Sequence, residues 1–271
     1  MAKRNPSPAS RQASAKVDFG KTARNYATYR AGFPEAFFDK LLEMGLLGTR
    51  CRAIDIGTGT GTVARGLARR GAQVLAIDPA AELLAEAERL STEEHDITYR
   101  VGRAEAIEAP DCLFDLAVAG QCWHWFDRPT AAAEAFRVLK PGAHLVIAHF
   151  DWLPLPGNVV AATEELICTH NPHWNMGGGT GLYPEWFSDL TVAKFIELQS
   201  FSFDVSQPYT HQAWRHRIIA SAGIGASLDA ASVARFDMEL AALLATRFPD
   251  DPLQVPHRVW AVIGRLPSHP R

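Results

Sequence analysis

The sequence predicts an α/β fold: a doubly wound, mostly parallel sheet of seven strands with an antiparallel last strand and a helical cap insertion. Three observations predict it. Short apolar runs alternate with helix-period segments from residue 50 to 150, one of those runs breaks into three alternating glycines, and two more strand-like runs stand far apart beyond Asp151. Parallel strands need a crossover between them, so alternation of this kind writes out successive βαβ units.

Taken in order, residues 1–16 are rich in Ser, Ala, Pro and basic residues without apolar periodicity, and are expected to form a disordered tail. A helix is expected over about Val17–Tyr29. Pro34 opens another, in which Phe37, Leu41, Leu42 and Met44 recur at helical spacing. The parallel strands then read as Cys51–Ile56, Gln73–Ile77, Ile97–Val101, Phe114–Ala119 and Ala143–His149, with right-handed crossovers winding helices onto both faces. Glu197–Val205 and Val255–Leu266 fit an antiparallel pair. Between them Ser227–Phe248 carries an apolar stripe, Val233, Phe236, Leu240, Leu243 and Leu244, most of which reads as core.

From Ala53 to Gly61 the chain reads Ala-Ile-Asp-Ile-Gly-Thr-Gly-Thr-Gly, leading into Thr62–Ala68. This is a buried strand breaking into a tight loop against a helix N-terminus. Gly57, Gly59 and Gly61 permit positive φ and leave no Cβ between backbone and ligand. Two cofactors compete for such a loop. Gly59–Ala64 satisfies the G-x-G-x-x-A pattern of nicotinamide dinucleotide sites. Asp55, two residues before Gly57, would repel a pyrophosphate but suit the cationic amino end of S-adenosylmethionine. Asp78 closes the next strand, where a carboxylate accepts ribose hydroxyls in either class.

The rest of the chain moves the balance. The Asp55-to-Gly61 loop, Asp78, Gly102-Arg103-Ala104-Glu105, Phe114-Asp115-Leu116-Ala117-Val118 and Arg137-Val138-Leu139-Lys140-Pro141-Gly142 together resemble the class I S-adenosylmethionine-dependent methyltransferases. The resemblance runs from about Phe19 to at least Phe150. It is closest to the small-molecule branch similar to trans-aconitate methyltransferase, through Tyr26-Ala27-Thr28-Tyr29-Arg30 and His124-Trp125-Phe126-Asp127. It implies a Rossmann-like methyltransferase domain over 17–271, with N-terminal helices or a lid at 17–45, a cofactor-binding core at 50–150, cap and substrate-side insertions at 151–254 and the last strand at 255–266.

In a doubly wound sheet, ligands sit beyond the carboxyl ends of the strands, where Asp55, Asp78, Glu105 and Gln121 fall. By the resemblance, the Gly57-Thr58-Gly59 backbone would pass under the methionine part, Asp78 would bind ribose, and Ala104-Glu105 would border adenine. Arg103 departs from the family pattern, in which many relatives place Asp. Arg30 is the candidate to grip the cofactor carboxylate, since a guanidinium can do so bidentately, with Tyr26 beside it on the cofactor side. Methyl transfer needs alignment, a dry site and, for a protonated nucleophile, a base. The aromatic run Cys122-Trp123-His124-Trp125-Phe126 suits a sulfonium through its π faces, and His124 is the candidate base, an imidazole whose unperturbed pKa is about 6.5.

Acceptor contacts are expected from Tyr29, Trp125, Trp174, Trp214 and Arg215. Trp174 lies in the Gly-rich, aromatic stretch His170–Tyr183, which reads as a lid, while His211, Trp214 and Arg215 share a helical face. Arg217 is a further candidate for an acceptor anion.

A formal net charge of −3 gives no basic footprint for nucleic acid, so a small-molecule acceptor is expected. No apolar run reaches the roughly 18 residues a membrane helix needs, and the start lacks a signal-peptide core, so a cytoplasmic chain is expected. A homodimer is left open. Cys51, Cys112, Cys122 and Cys168 show no metal or disulfide spacing, and Pro172 between His170 and His173 argues against a shared metal, so none is expected.

The expected function is methyl transfer from S-adenosylmethionine, leaving S-adenosylhomocysteine, with O-methylation of a carboxylate or hydroxyl preferred over C- or N-methylation. Gln121-Cys122-Trp123-His124 stands where DNA and many protein N-methyltransferases of this fold carry Asn/Asp-Pro-Pro-aromatic. Two readings from other classes stay open: a NAD(P)-dependent oxidoreductase and a non-catalytic S-adenosylmethionine-binding regulator.

Overall fold

The most deeply buried strands of the sheet include β1 (Arg52–Ile56) and β4 (Phe114–Gly120), as central parallel strands must be when both faces are covered. The computed structural model describes residues 32–92, 96–221, 223–225 and 227–268. The expected tail, the first expected helix and Tyr26, Tyr29 and Arg30 lie outside the described residues.

Around that centre stand β2 (Gln73–Asp78), β3 (Ile97–Val101), β5 (Leu139–Trp152), β6 (Ile196–Tyr209) and β7 (Leu253–Arg265), in the order β3-β2-β1-β4-β5-β7-β6. Parallel ladders join β1 to β2 and β4, β2 to β3, and β4 to β5. β7 runs the other way. Gly142 N donates to Leu266 O at 3.0 Å and Leu153 N to Pro256 O at 2.8 Å, so numbers fall along β7 as they rise along β5. The expected antiparallel element is therefore present as β7, placed between β5 and an edge strand β6.

Eight helices stand among the described residues: α1 (Glu35–Glu43), α2 (Thr62–Ala68), α3 (Ala81–Leu90), α4 (Arg128–Val138), α5 (Val159–His170), α6 (Trp186–Val192), α7 (His211–Ile219) and α8 (Ala230–Arg247). Side-chain caps open α5, α7 and α8. Asn158, Thr210 and Asp229 each accept from the backbone N–H three residues on, at 2.9, 3.1 and 2.8 Å. In α8, Phe236, Leu240 and Leu244 are buried, while Val233 and Leu243 are half-buried. β5 begins at Leu139, four residues before the expected Ala143, because α4 runs straight into it. Arg137 holds that junction, donating to Glu134, to Asp111 and to the carbonyls of Ile107 and Ala109.

The chain forms two compact units. The sheet unit takes in the described residues up to Phe150, Gly181–Asp204 and Arg258 onward; the second unit holds Asp151–Thr180 and Val205–His257. In the sheet unit, α2 packs against α1 through Gly66, where an added Cβ would lie 2.0 Å from the Phe38 ring. Gly66→Ala is therefore expected to overpack this contact and cost about 1–3 kcal/mol, read as a lowered melting temperature. The double variant Gly66→Ala with Phe38→Leu should recover part of the loss; an unchanged melt for Gly66→Ala alone would contradict this packing.

Candidate active site

From β1 the chain steps outward through β2 to β3, then returns to β4 on the other side of β1. That reversal is the point at which a doubly wound sheet opens a crevice beyond its strands' carboxyl ends. On the β1 side, Gly57, Gly59 and Gly61 all adopt left-handed φ, at 72°, 56° and 78°. Side chains with a Cβ rarely take this conformation. A Cβ on Gly57 would also lie 2.9 Å from Cys122 Sγ and 3.0 Å from Phe126 Cζ, so the loop is pressed against the turn after β4. Gly59 is different: a Cβ there would meet nothing within 4 Å, and its missing side chain leaves the loop open to a ligand.

Two carboxylates secure the loop. Asp78, at the end of β2, accepts from Gly59 N and Ala80 N, both at 2.9 Å. Burial raises its carboxyl above the usual range, and those two N–H groups pull against that rise. Asp55, 1% exposed at the end of β1, accepts the Thr58 hydroxyl on Oδ2 at 2.5 Å. Its Oδ1 is buried without a hydrogen-bond partner. Burial pushes the Asp55 carboxyl up to about 7 against hydrogen bonds from the Thr58 hydroxyl and the Ala64 backbone N–H, with nearby Asp78 adding to the rise and Arg65 opposing it. A buried, half-satisfied carboxylate is costly unless something polar or cationic completes it.

Beyond β4, Gln121 takes a left-handed φ of 66°, and its side-chain amide donates to the Phe150 carbonyl. The chain then makes a 3₁₀ turn, Trp123–Trp125. This turn splits the aromatic run expected to wall a cofactor. Trp123 is fully buried, donating Nε1 to Asp189 at 2.9 Å, and belongs to the core, whereas Trp125 is 53% exposed. His124, half-buried between them, brings Nδ1 to 3.3 Å from Nε2 of His149 on β5. His149 packs in turn on Tyr183, with ring centroids 4.4 Å apart. Ala104 is buried, and Glu105 accepts from Asp127 N at 3.1 Å while pairing with Arg103 at 3.4 Å. Glu105 thus ties the loop after β3 to the N-cap of α4.

The acceptor residues expected beyond Asp151 fall in the second unit. Trp174 lines an open pocket of about 530 Å³ with Glu164, Glu165 and Cys168. Trp214 corrects an expectation: it is fully buried, bonded through Nε1 to Thr163 at 3.1 Å and edge-on to Trp152, so it is a core residue. Arg215 forms a two-point pair with Asp237, which an acceptor anion would have to displace. Arg217 lies over the Trp152 ring at 4.8 Å, and burial lowers its pKa. His149 was not singled out from the sequence. Its one signal is its place at the end of the run Ala143–His149, next in the row of strand ends that supplied Asp55 and Asp78.

A glycine turn at the switch point, pinned by two buried carboxylates, defines a Rossmann-like nucleotide-cofactor protein. The orphaned Asp55 Oδ1 and the open face at Gly59 suit a ligand with a cationic end. Comparison with known proteins narrows the class. Residues 54–147 match the family described as methyltransferase domain. An uncharacterised methyltransferase of Schizosaccharomyces pombe is 31% identical over 186 residues, 66% of this chain and 72% of that protein. An uncharacterised methyltransferase of Mycobacterium tuberculosis is 33% identical over 129 residues; the alignment takes in 48% of this chain and spans about half, 50%, of that protein's length. The fold of a candidate type II methyltransferase from Anaeromyxobacter dehalogenans superposes with a TM-score of 0.64 at 24% identity, covering 90% of this chain and 100% of that one. The chain belongs to the class I S-adenosylmethionine-dependent methyltransferases.

Proposed function

We propose that the protein transfers a methyl group from S-adenosylmethionine to an oxygen of a small-molecule acceptor, a carboxylate or a hydroxyl. The observation that carries the choice of oxygen is His124, an imidazole in the turn after β4, where the Asn/Asp-Pro-Pro-aromatic motif of nitrogen-directed relatives is replaced. The resemblance to the trans-aconitate methyltransferase-like branch supports an organic acid among the acceptors. In this reading S-adenosylmethionine supplies a methyl group carried on a sulfonium. Asp55 faces its amino end, the Gly57–Gly59 backbone lies along the methionine part, Asp78 takes the ribose hydroxyls, and Ala104 and Glu105 border the adenine. Tyr26 and Arg30 are proposed for the cofactor side, and Trp125 for acceptor contact. A carboxylate acceptor is already ionised at neutral pH and needs only alignment; a hydroxyl also needs a base.

The test joins binding to turnover. Calorimetric titration should show binding of S-adenosylmethionine and S-adenosylhomocysteine and none of NADH. Incubation with organic acids, phenols and amines should release S-adenosylhomocysteine with the oxygen acceptors. Binding of NADH alone, or turnover confined to amines, would overturn the proposal.

A further inference from the structure

His149 is 6% exposed on β5, yet it carries a ring that can both donate and accept a proton. Its surroundings hold it still. The His149 ring meets Trp186 edge-on at 5.3 Å and Tyr183 at 4.4 Å, and Tyr183 is stacked on Trp186 with the planes 12° apart. On its other side it meets His124 edge-on, with centroids 5.2 Å apart and Nε2 at 3.3 Å from His124 Nδ1.

A hydrogen bond between two neutral imidazoles needs one N–H and one lone pair, so the pair has two arrangements. If His149 Nε2 donates, the His124 proton sits on Nε2 and His124 can take no further proton there. If His124 Nδ1 donates, the His124 lone pair sits on Nε2 and the His149 proton on Nδ1. Only the second arrangement makes His124 a base.

We infer that His149 is a positioning residue: it fixes His124 in the Nδ1–H tautomer and stabilises the imidazolium that forms when His124 removes a hydroxyl proton from the acceptor. The inference rests on the reading of His124 as base and narrows the acceptor to a hydroxyl compound. In the step, the acceptor O–H bond breaks toward His124 Nε2, its electron pair forms the new O–C bond, and the C–S pair returns to a sulfur that becomes neutral. His124 then carries the positive charge, and its Nδ1–H donates to His149 Nε2 in a charge-assisted bond of roughly twice the neutral strength. Water takes the proton from His124 Nε2 once product has left.

The experiment is long-range ¹H–¹⁵N correlation of the histidine side chains in the full chain, assigned with His124→Gln and His149→Gln, alongside steady-state kinetics on a hydroxyl acceptor. Wild type should show His124 protonated at Nδ1 and unprotonated at Nε2. His149→Phe should lose that signature and lower kcat by about tenfold or more with KM little changed, within the range a positioned base supplies. His149→Gln, whose carbonyl can accept the Nδ1–H, should restore part of both, and it keeps the test intact where the Phe variant folds poorly. An Nε2–H tautomer in wild type, or an unaltered tautomer in both His149 variants while His124→Asn abolishes turnover, overturns the role of His149 and leaves the base standing. Full turnover by His124→Asn overturns the base itself.

Discussion

Replacing Asp78 by alanine is expected to weaken binding of S-adenosylmethionine and S-adenosylhomocysteine alike by roughly 10- to 100-fold, as a hydrogen bond to a charged group contributes about 1.5–3 kcal/mol. Asp78 is the acceptor for the N–H groups of both Gly59 and Ala80, so its loss frees the turn at the residue that stays open to ligand. The proposed ribose contact would be lost with it. Asp78→Asn retains one carbonyl acceptor and should lie between wild type and alanine. Calorimetry on folded protein, checked by an unchanged circular dichroism spectrum, gives the measurement. Wild-type affinity in Asp78→Ala would remove Asp78 from the cofactor site.

Asp55→Asn should separate stability from binding. In the folded chain burial pushes the Asp55 carboxyl up to about 7, against the ordinary 3.8 expected once unfolded. The folded state therefore holds the proton more tightly. The stabilisation this gives is full below about 3.8 and is lost as pH rises through about 7. Asparagine is neutral at every pH, so the variant should melt higher than wild type at pH 8, by an amount on the order of 1–3 kcal/mol, or a few degrees. A cation beside Asp55 favours the ionised carboxylate, so cofactor binding by wild type should release protons near and below neutrality and tighten as pH rises toward 7. In the asparagine variant that slope should vanish and affinity at pH 8 should fall about tenfold or more, the loss of one charge-assisted contact. Titration in two buffers of different ionisation enthalpy counts the protons. Equal heats in both buffers for wild type near pH 6.5 would contradict the linkage.

The cofactor loop was legible because its constraints are local. Positive φ at Gly57, Gly59 and Gly61 and the close approach to Cys122 select one residue type, and that choice shows directly in the sequence. Asp55 and Asp78 were legible for a related reason, since an acid closing an apolar strand stands out against its neighbours. Trp123 and Trp125 were not separable, because two tryptophans in one run carry the same letter while the 3₁₀ turn sends one inward and leaves the other exposed. Trp214 and Arg215 share the difficulty. Their helical spacing is real, but the partners that decide their roles, Thr163 and Asp237, lie on α5 and α8. The contact of His149 with His124 depends on the β4–β5 register, Gly120 opposite Ala148, which no single segment encodes. β5 starts before Ala143 because Lys140, Pro141 and Gly142 lie inside the strand, Gly142 at a φ of 84°, while the apolar run marks only its later part.

The position of β7 sets an order of assembly. Among the described residues it is the last strand in sequence, yet it lies between β5 and β6. Until it inserts, both flanking strands present unpaired backbone, and Leu153 must wait for Pro256, far along the chain, to gain its partner. Such distant pairings delay sheet completion. During synthesis β1, which leads into the cofactor loop, can pair with β2 and β4 while the far half of the sheet still lacks its inner strand, and a chain cut before Leu253 would keep the loop's sequence but carry two open edges prone to self-association.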